Sequence, residues 1–115
     1  MKNQQLTALV TELKKVSRDN KVKIWDRIAS ELERPSRLNR EVNLTRLNRY
    51  CKANDTVVVP GKVLSMGILD KKITIAALKF SGTALDKINA SGSKAITIHD
   101  LASKNPKGSK VKIIG

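Results

Sequence analysis

The N-terminal part of the chain carries its apolar residues at helical spacing. Leu6, Leu9, Val10, Leu13 and Val16 recur three and four apart, which predicts one stripe of an amphipathic helix. Ser17-Arg18-Asp19-Asn20 then supplies turn and cap formers that interrupt the stripe. Val22, Trp25, Ile28, Ala29 and Leu32 predict a second helix, which Pro35 ends because the residue before a proline is pushed out of the helical region. So short a connection implies an antiparallel helical hairpin. Residues 34–41 show no useful apolar period and are expected to form an extended loop. Val42 to Tyr50 is ambiguous: Val42 and Leu44 fit a strand, Leu44 and Leu47 fit a helical turn, and the balance falls on a strand running into a turn.

The second half has a different texture. Thr56-Val57-Val58-Val59 is β-branched and predicts a buried strand. Pro60-Gly61 is expected to cut it as a turn, with Lys62-Val63-Leu64 continuing beyond. Ile73, Ile75 and Ala77 alternate into a further strand. Ser81 offers an N-cap for a short helix over Ala84, Leu85 and Ile88, with Gly92 past its end. Ala95-Ile96-Thr97 is a short strand, and Thr97 and Asp100 have capping-box spacing for a helix over Leu101 and Ala102. Asn105-Pro106-Lys107-Gly108 turns the chain into a last strand at Val111-Ile114. The pattern therefore predicts an α+β fold in one domain: a helical arm (1–34), a basic loop and strand (35–52) and a mixed α/β core (53–115). No repeat or low-complexity tract is present.

Composition changes this picture through charge. In 115 residues, 23 are Lys or Arg and 10 are Asp or Glu, a formal net charge of +13. Such an excess repels itself in a free protein and makes sense with a polyanionic partner, nucleic acid or an anionic membrane. Arginine is concentrated in one place. Arg34, Arg37, Arg40, Arg46 and Arg49, with Lys52, are opposed only by Glu41. The planar arginine fork matches phosphate oxygens bidentately and stacks on bases, so this segment is the leading candidate for RNA contact. The second half holds lysine instead; Lys62, Lys71, Lys72, Lys79, Lys107, Lys110 and Lys112 fall near turns and strand ends, suited to diffuse phosphate neutralisation. Of these, Lys62, Lys79, Lys107 and Lys110 join the six residues above as candidate RNA-binding positions. Trp25 belongs to a helical core stripe. Tyr50 either stacks on an exposed base or packs beneath the basic loop.

Other chemistries find little support. Pro60-Gly61-Lys62 lacks the second glycine and the hydroxyl of a phosphate-binding loop. His99 is the only histidine, and no paired carboxylates stand near it. The single Cys51 excludes an intramolecular disulfide and a multi-cysteine zinc site and suits a reducing compartment. No catalytic set, metal, cofactor or small-molecule substrate is expected. No apolar run is long enough to span a bilayer, no basic amphipathic helix carries bulky anchors, and no apolar stretch follows Met1–Gln5 as a secretory signal. A cytoplasmic protein is expected. A helix-turn-helix DNA binder, or another RNA-binding module, remains the alternative. The first is weakened by acids on the exposed side of the second helix (Asp26, Glu31 and Glu33).

Several ordered blocks look familiar: Glu31-Leu-Glu-Arg-Pro-Ser-Arg37, Val42-Asn-Leu-Thr-Arg-Leu47, Val57-Val-Val-Pro-Gly-Lys-Val-Leu64, Ile73-Thr-Ile-Ala-Ala77, Phe80-Ser-Gly-Thr-Ala84, Lys87-Ile88, Asn105-Pro-Lys-Gly-Ser-Lys-Val111 and Ile113-Ile-Gly115. Together they span essentially the whole chain. In them the chain resembles the archaeal form of the large-subunit ribosomal protein eighteen-e family, related in fold to bacterial-type ribosomal protein fifteen. The resemblance implies an N-terminal helical hairpin or arm followed by a compact, irregular β-β-α superhelical core. It also implies a structural constituent of the ribosome that binds large-subunit ribosomal RNA beside neighbouring ribosomal proteins. Eukaryotic members are substantially longer, so an archaeal source is expected.

Overall fold

A computed structural model describes residues 4–33, 41–108 and 110–114. The two N-terminal stripes form α1 (Gln4–Asn20) and α2 (Ile24–Glu33). They fold back on each other, with Lys14 Nζ 3.0 Å from a Glu33 carboxylate oxygen. The segment expected to interrupt the first helix is instead its last turn. Asn20 donates to the Val16 carbonyl at 2.9 Å and the Ser17 hydroxyl donates to the Val22 carbonyl, so these polar side chains bond to nearby backbone while the helix continues. Lys21, at φ 56°, then reverses the chain, with Val22 N–H bonding back to Ser17 and Lys21 N–H to Arg18. This is the 6→1 and 5→2 pair of a Schellman motif.

Five strands follow: β1 (Glu41–Asn43), β2 (Thr56–Leu64), β3 (Thr74–Phe80), β4 (Lys94–Thr97) and β5 (Val111–Ile113). All their pairings are parallel. β1, β2, β3 and β4 lie in that order, and β5 returns to pair with the first half of β2 while β1 pairs with its second half. A parallel sheet must be covered on both faces, and this one is. Val58 and Ala76 face a core made with Val10, Leu13, Trp25, Ile28, Leu32 and α5 (Ile98–Lys104). Val57, Val59, Ile75 and Ala77 face the other, shared with α3 (Leu44–Tyr50) and α4 (Gly82–Ala90). The mixed α+β class is as expected. Trp25 is fully buried and its indole N–H donates to the Pro106 carbonyl at 2.7 Å, as a core residue with its one polar atom satisfied.

Pro60-Gly61 does not turn the chain. β2 runs straight through it, and the register moves from Val59↔Ala77 to Lys62↔Lys79, so two residues of β2 oppose the single Leu78. Proline has no N–H to give to a ladder, and a bulge is where a sheet accepts one. The caps on the α4 and α5 side agree with expectation. Ser81 accepts from Ala84 N–H and Thr97 from Asp100 N–H, while Gly92 leaves α4 at φ 82°.

The connection from β2 to β3 carries no helix. Nine residues, 65–73, must return the length of β2; at about 3.3 Å each they reach roughly 30 Å, so the crossover is nearly extended. It is laid along α3 and pinned there. The Met66 carbonyl accepts from both Thr45 N–H and the Thr45 hydroxyl, and Met66 N–H donates to the Asn43 side chain. Asp70 N–H donates to Asn48 Oδ1. The Lys71 ammonium donates to the Asn48 and Cys51 carbonyls at 2.6 and 2.8 Å, placing a cation on the orphan carbonyls at the end of α3. Lys87 holds the other end of the crossover through the Ser65 and Gly67 carbonyls.

Two expectations test this bracing. At Gly67, φ 98°, an added Cβ would stand 1.8 Å from Thr45 Oγ1 and 2.8 Å from Thr45 N. Gly67→Ala is therefore expected to destabilise the fold by at least about 2 kcal/mol in denaturant melts, by steric conflict with backbone and left-handed strain together. Asp55 accepts Lys52 N–H at 2.7 Å and pairs with Lys112 Nζ at 2.9 Å. The backbone hydrogen bond first, and Lys112 second, hold its carboxyl below the usual value. A depressed carboxyl contributes stability above its unfolded pKa, about 3.9, and loses it as pH falls through the folded value. Asp55→Asn is expected to lower the melting temperature at neutral pH and to flatten its fall in acid, read by circular dichroism from pH 7 to 2.

Candidate nucleic-acid interface

The segment whose sequence was ambiguous builds the most distinctive surface. Val42 to Tyr50 is a three-residue strand followed by a seven-residue helix, where a turn was expected after the strand. The helix has three faces. Leu44 and Leu47 are buried in the core, Thr45 and Asn48 hold the crossover, and Arg46, Arg49 and Tyr50 are exposed. Spacings of three and four residues explain this: side chains so separated lie on one side of a helix. Because two faces are committed, the third is presented on a fixed support.

The remaining candidates fall around this helix and at the two ends of the sheet. Lys52 is exposed just after α3. Lys62 and Lys79 are register partners beyond the Pro60 bulge, both exposed, side by side at the carboxyl end of the sheet. Lys107 and Lys110 are exposed in the turn between α5 and β5, which enters the opposite end of the sheet beside Thr56. Arg34, Arg37 and Arg40 lie outside the described residues, as do the loop expected there and the Pro35 stop. Among the described residues, no carboxylate is paired with Arg46, Arg49, Lys52, Lys62, Lys79, Lys107 or Lys110. These seven candidates thus carry no ion pair among the described residues.

Other lysines have structural work. Lys71 and Lys87 bind backbone carbonyls of α3 and the crossover, and Lys112 is tied to Asp55, which raises the pKa of its ammonium. Lys71 and Lys112 had been grouped with the phosphate-neutralising lysines. Nothing local in the sequence separates them, since their partners lie some 20 or more residues away. Tyr50 is 57% exposed, and the basic loop beneath which it was the alternative to pack lies outside the described residues. The Arg46 guanidinium stands 5.7 Å from its ring centroid, a cation–π contact between residues four apart.

The groups considered for catalysis are placed otherwise. Cys51 is buried, and desolvation first, Asp55 second, push its thiol above the ordinary value, away from the reactive thiolate. His99 lies on the surface with Nδ1 2.5 Å from a Glu12 carboxylate oxygen, linking α5 to α1. Among the described residues no group of acidic, histidine or cysteine side chains could hold a metal ion. Nor is any helix among them long and apolar enough to cross a membrane. The exposed side of α2 carries Asp26 and Glu33, the latter facing Lys14, an unfavourable surface for a DNA groove.

Comparison with known proteins gives one consistent answer. The family model described as ribosomal protein 60S L18 and 50S L18e matches residues 1–115. A protein of Methanoregula boonei named large ribosomal subunit protein eL18 is 48% identical over 112 residues, 97% of this chain and 93% of its own length. Proteins of the same name from Haloarcula marismortui and Methanococcus maripaludis are 44% and 42% identical, each over 97% of this chain and over 96% and 93% of their own lengths. The family is one of structural, non-enzymatic ribosomal proteins. The resemblance drawn from the ordered sequence blocks is confirmed, and the chain belongs to the ribosomal protein L18 and L18e family.

Proposed function

We propose that the protein is a structural constituent of the large subunit of the cytoplasmic ribosome and braces its RNA through arginine and lysine contacts to phosphate. The observation that carries the RNA contact is the solvent face of α3: Arg46 and Arg49, free of carboxylates, on a helix whose other faces are locked to core and crossover. A preset support of this kind binds shape, because the side chains meet phosphates without first ordering a backbone. The Lys62–Lys79 pair and the Lys107–Lys110 turn extend contact to both ends of the sheet, and Arg34, Arg37 and Arg40 are assigned to the same interface by their chemistry. Neighbouring large-subunit proteins complete the setting. The relatives' printed names support the assembly, and the charge of +13 supports a polyanion as the main partner.

The test is a salt titration against fragments of large-subunit ribosomal RNA. The logarithm of the affinity is expected to fall linearly with the logarithm of salt concentration, with a slope set by the number of phosphates neutralised. Arg46→Ala and Arg49→Ala are each expected to make that slope shallower by about one while leaving the melting temperature unchanged. Affinity indifferent to salt would overturn the RNA reading; unchanged slopes in both variants would move the interface off α3.

A further inference from the structure

Tyr50 is out of place on any account that uses charge alone. The chain has three aromatic residues. Trp25 is fully buried and Phe80 packs against the core, whereas Tyr50 stands 57% exposed at the end of α3. It lines an open groove of about 480 Å³ between α3 and the end of β5, together with Arg46, Lys112, Ile113 and Ile114. That volume falls within the range of small-ligand sites, about 300–1,000 Å³. The groove is lined by an aromatic ring, the guanidinium over it, and the end of β5 at Ile113 and Ile114.

We propose that this groove receives a single unstacked nucleobase of the RNA, held against the Tyr50 ring and the Arg46 plane over Ile113 and Ile114. The inference rests on the RNA reading and deepens it. Three points carry it. Bases stack on aromatic rings and on arginine planes whatever their sequence, and single-stranded or bulged nucleotides are those free to do so. The surroundings suit the phosphates that flank such a base: Arg46 is at the groove and Arg49 lies one turn along on the same exposed side of α3, neither paired with a carboxylate. The wall is held in advance. Arg46 stands over the Tyr50 ring, Lys112 is tied to Asp55, and Lys71 closes the end of α3 beneath. Lys112 therefore shapes the site more than it charges it, and the positive charge at the groove comes from the arginine.

The experiment uses the full chain and two RNA hairpins of equal length that differ at one position. One has a single bulged 2-aminopurine, a base whose fluorescence falls on stacking; the other has the same base paired. Binding is expected to quench the bulged probe and to leave the paired one unchanged. Tyr50→Leu should abolish the quenching and weaken binding of the bulged hairpin about tenfold, while Tyr50→Phe keeps both. Neither variant should alter the salt-dependent affinity for the paired hairpin. If both hairpins bind with a steep salt dependence but the bulged probe stays bright, the stacking site is wrong and the RNA reading stands. The same result follows if a protein segment fills the groove. If neither hairpin nor the large-subunit fragments bind, both readings fall.

Discussion

The rest of the structure depends on the ladder that β2 makes along both of its edges. One edge carries β3; the other is divided, with β5 along the first half and β1 along the second. Val57, Val58 and Val59 are fully buried, so the strand is covered on both faces as well. At about 1.5–3 kcal/mol for each fully buried side chain of this size, that central run alone rivals the net stability of a small domain. Proline in such a strand is tolerable only where the ladder skips a residue. The Pro60-Gly61 bulge is therefore a condition of the fold, and it also brings Lys62 level with Lys79.

Parallel pairing imposes the next constraint. Each strand must be followed by a return along the sheet, and helices α3, α4 and α5 supply three of those returns. Between β2 and β3 only the extended crossover does so, and it cannot hydrogen-bond to itself as a helix would. Its backbone groups are satisfied by α3 and Lys87 instead. That exchange is what makes a seven-residue helix, too short to persist alone, a rigid platform for Arg46, Arg49 and Tyr50.

The charge of the protein divides along the same lines. Cations that meet carbonyl ends or Asp55 belong to the scaffold, and their charge is spent within the fold. The candidate cations that carry no ion pair among the described residues lie on the α3 face, at the Lys62–Lys79 pair and at the turn before β5, alongside other exposed lysines and arginines on α1, α2 and α5.

The sequence by itself determined whatever rests on neighbours in the chain. The two helical stripes, the caps at Ser81 and Thr97, the glycine exit at Gly92 and the buried Val57–Val59 strand follow from periods and cap chemistry that act within a few residues. Only the tertiary structure decided what depends on distant partners. Leu44 and Leu47 suit a strand end or a helix turn, and the crossover bonding to Thr45 and Asn48 selects the helix. Pro60-Gly61 signals a turn locally, yet strand β3 turns it into a bulge. Lys71 and Lys112 look like any other surface lysine until Asn48, Cys51 and Asp55 fold against them. In the same way Tyr50 followed from the sequence only as an aromatic beside a basic stretch. Its exposure, and the groove it shares with the end of β5, arise because residues more than sixty positions apart are brought to one surface. Local periods cannot encode that distance; packing does.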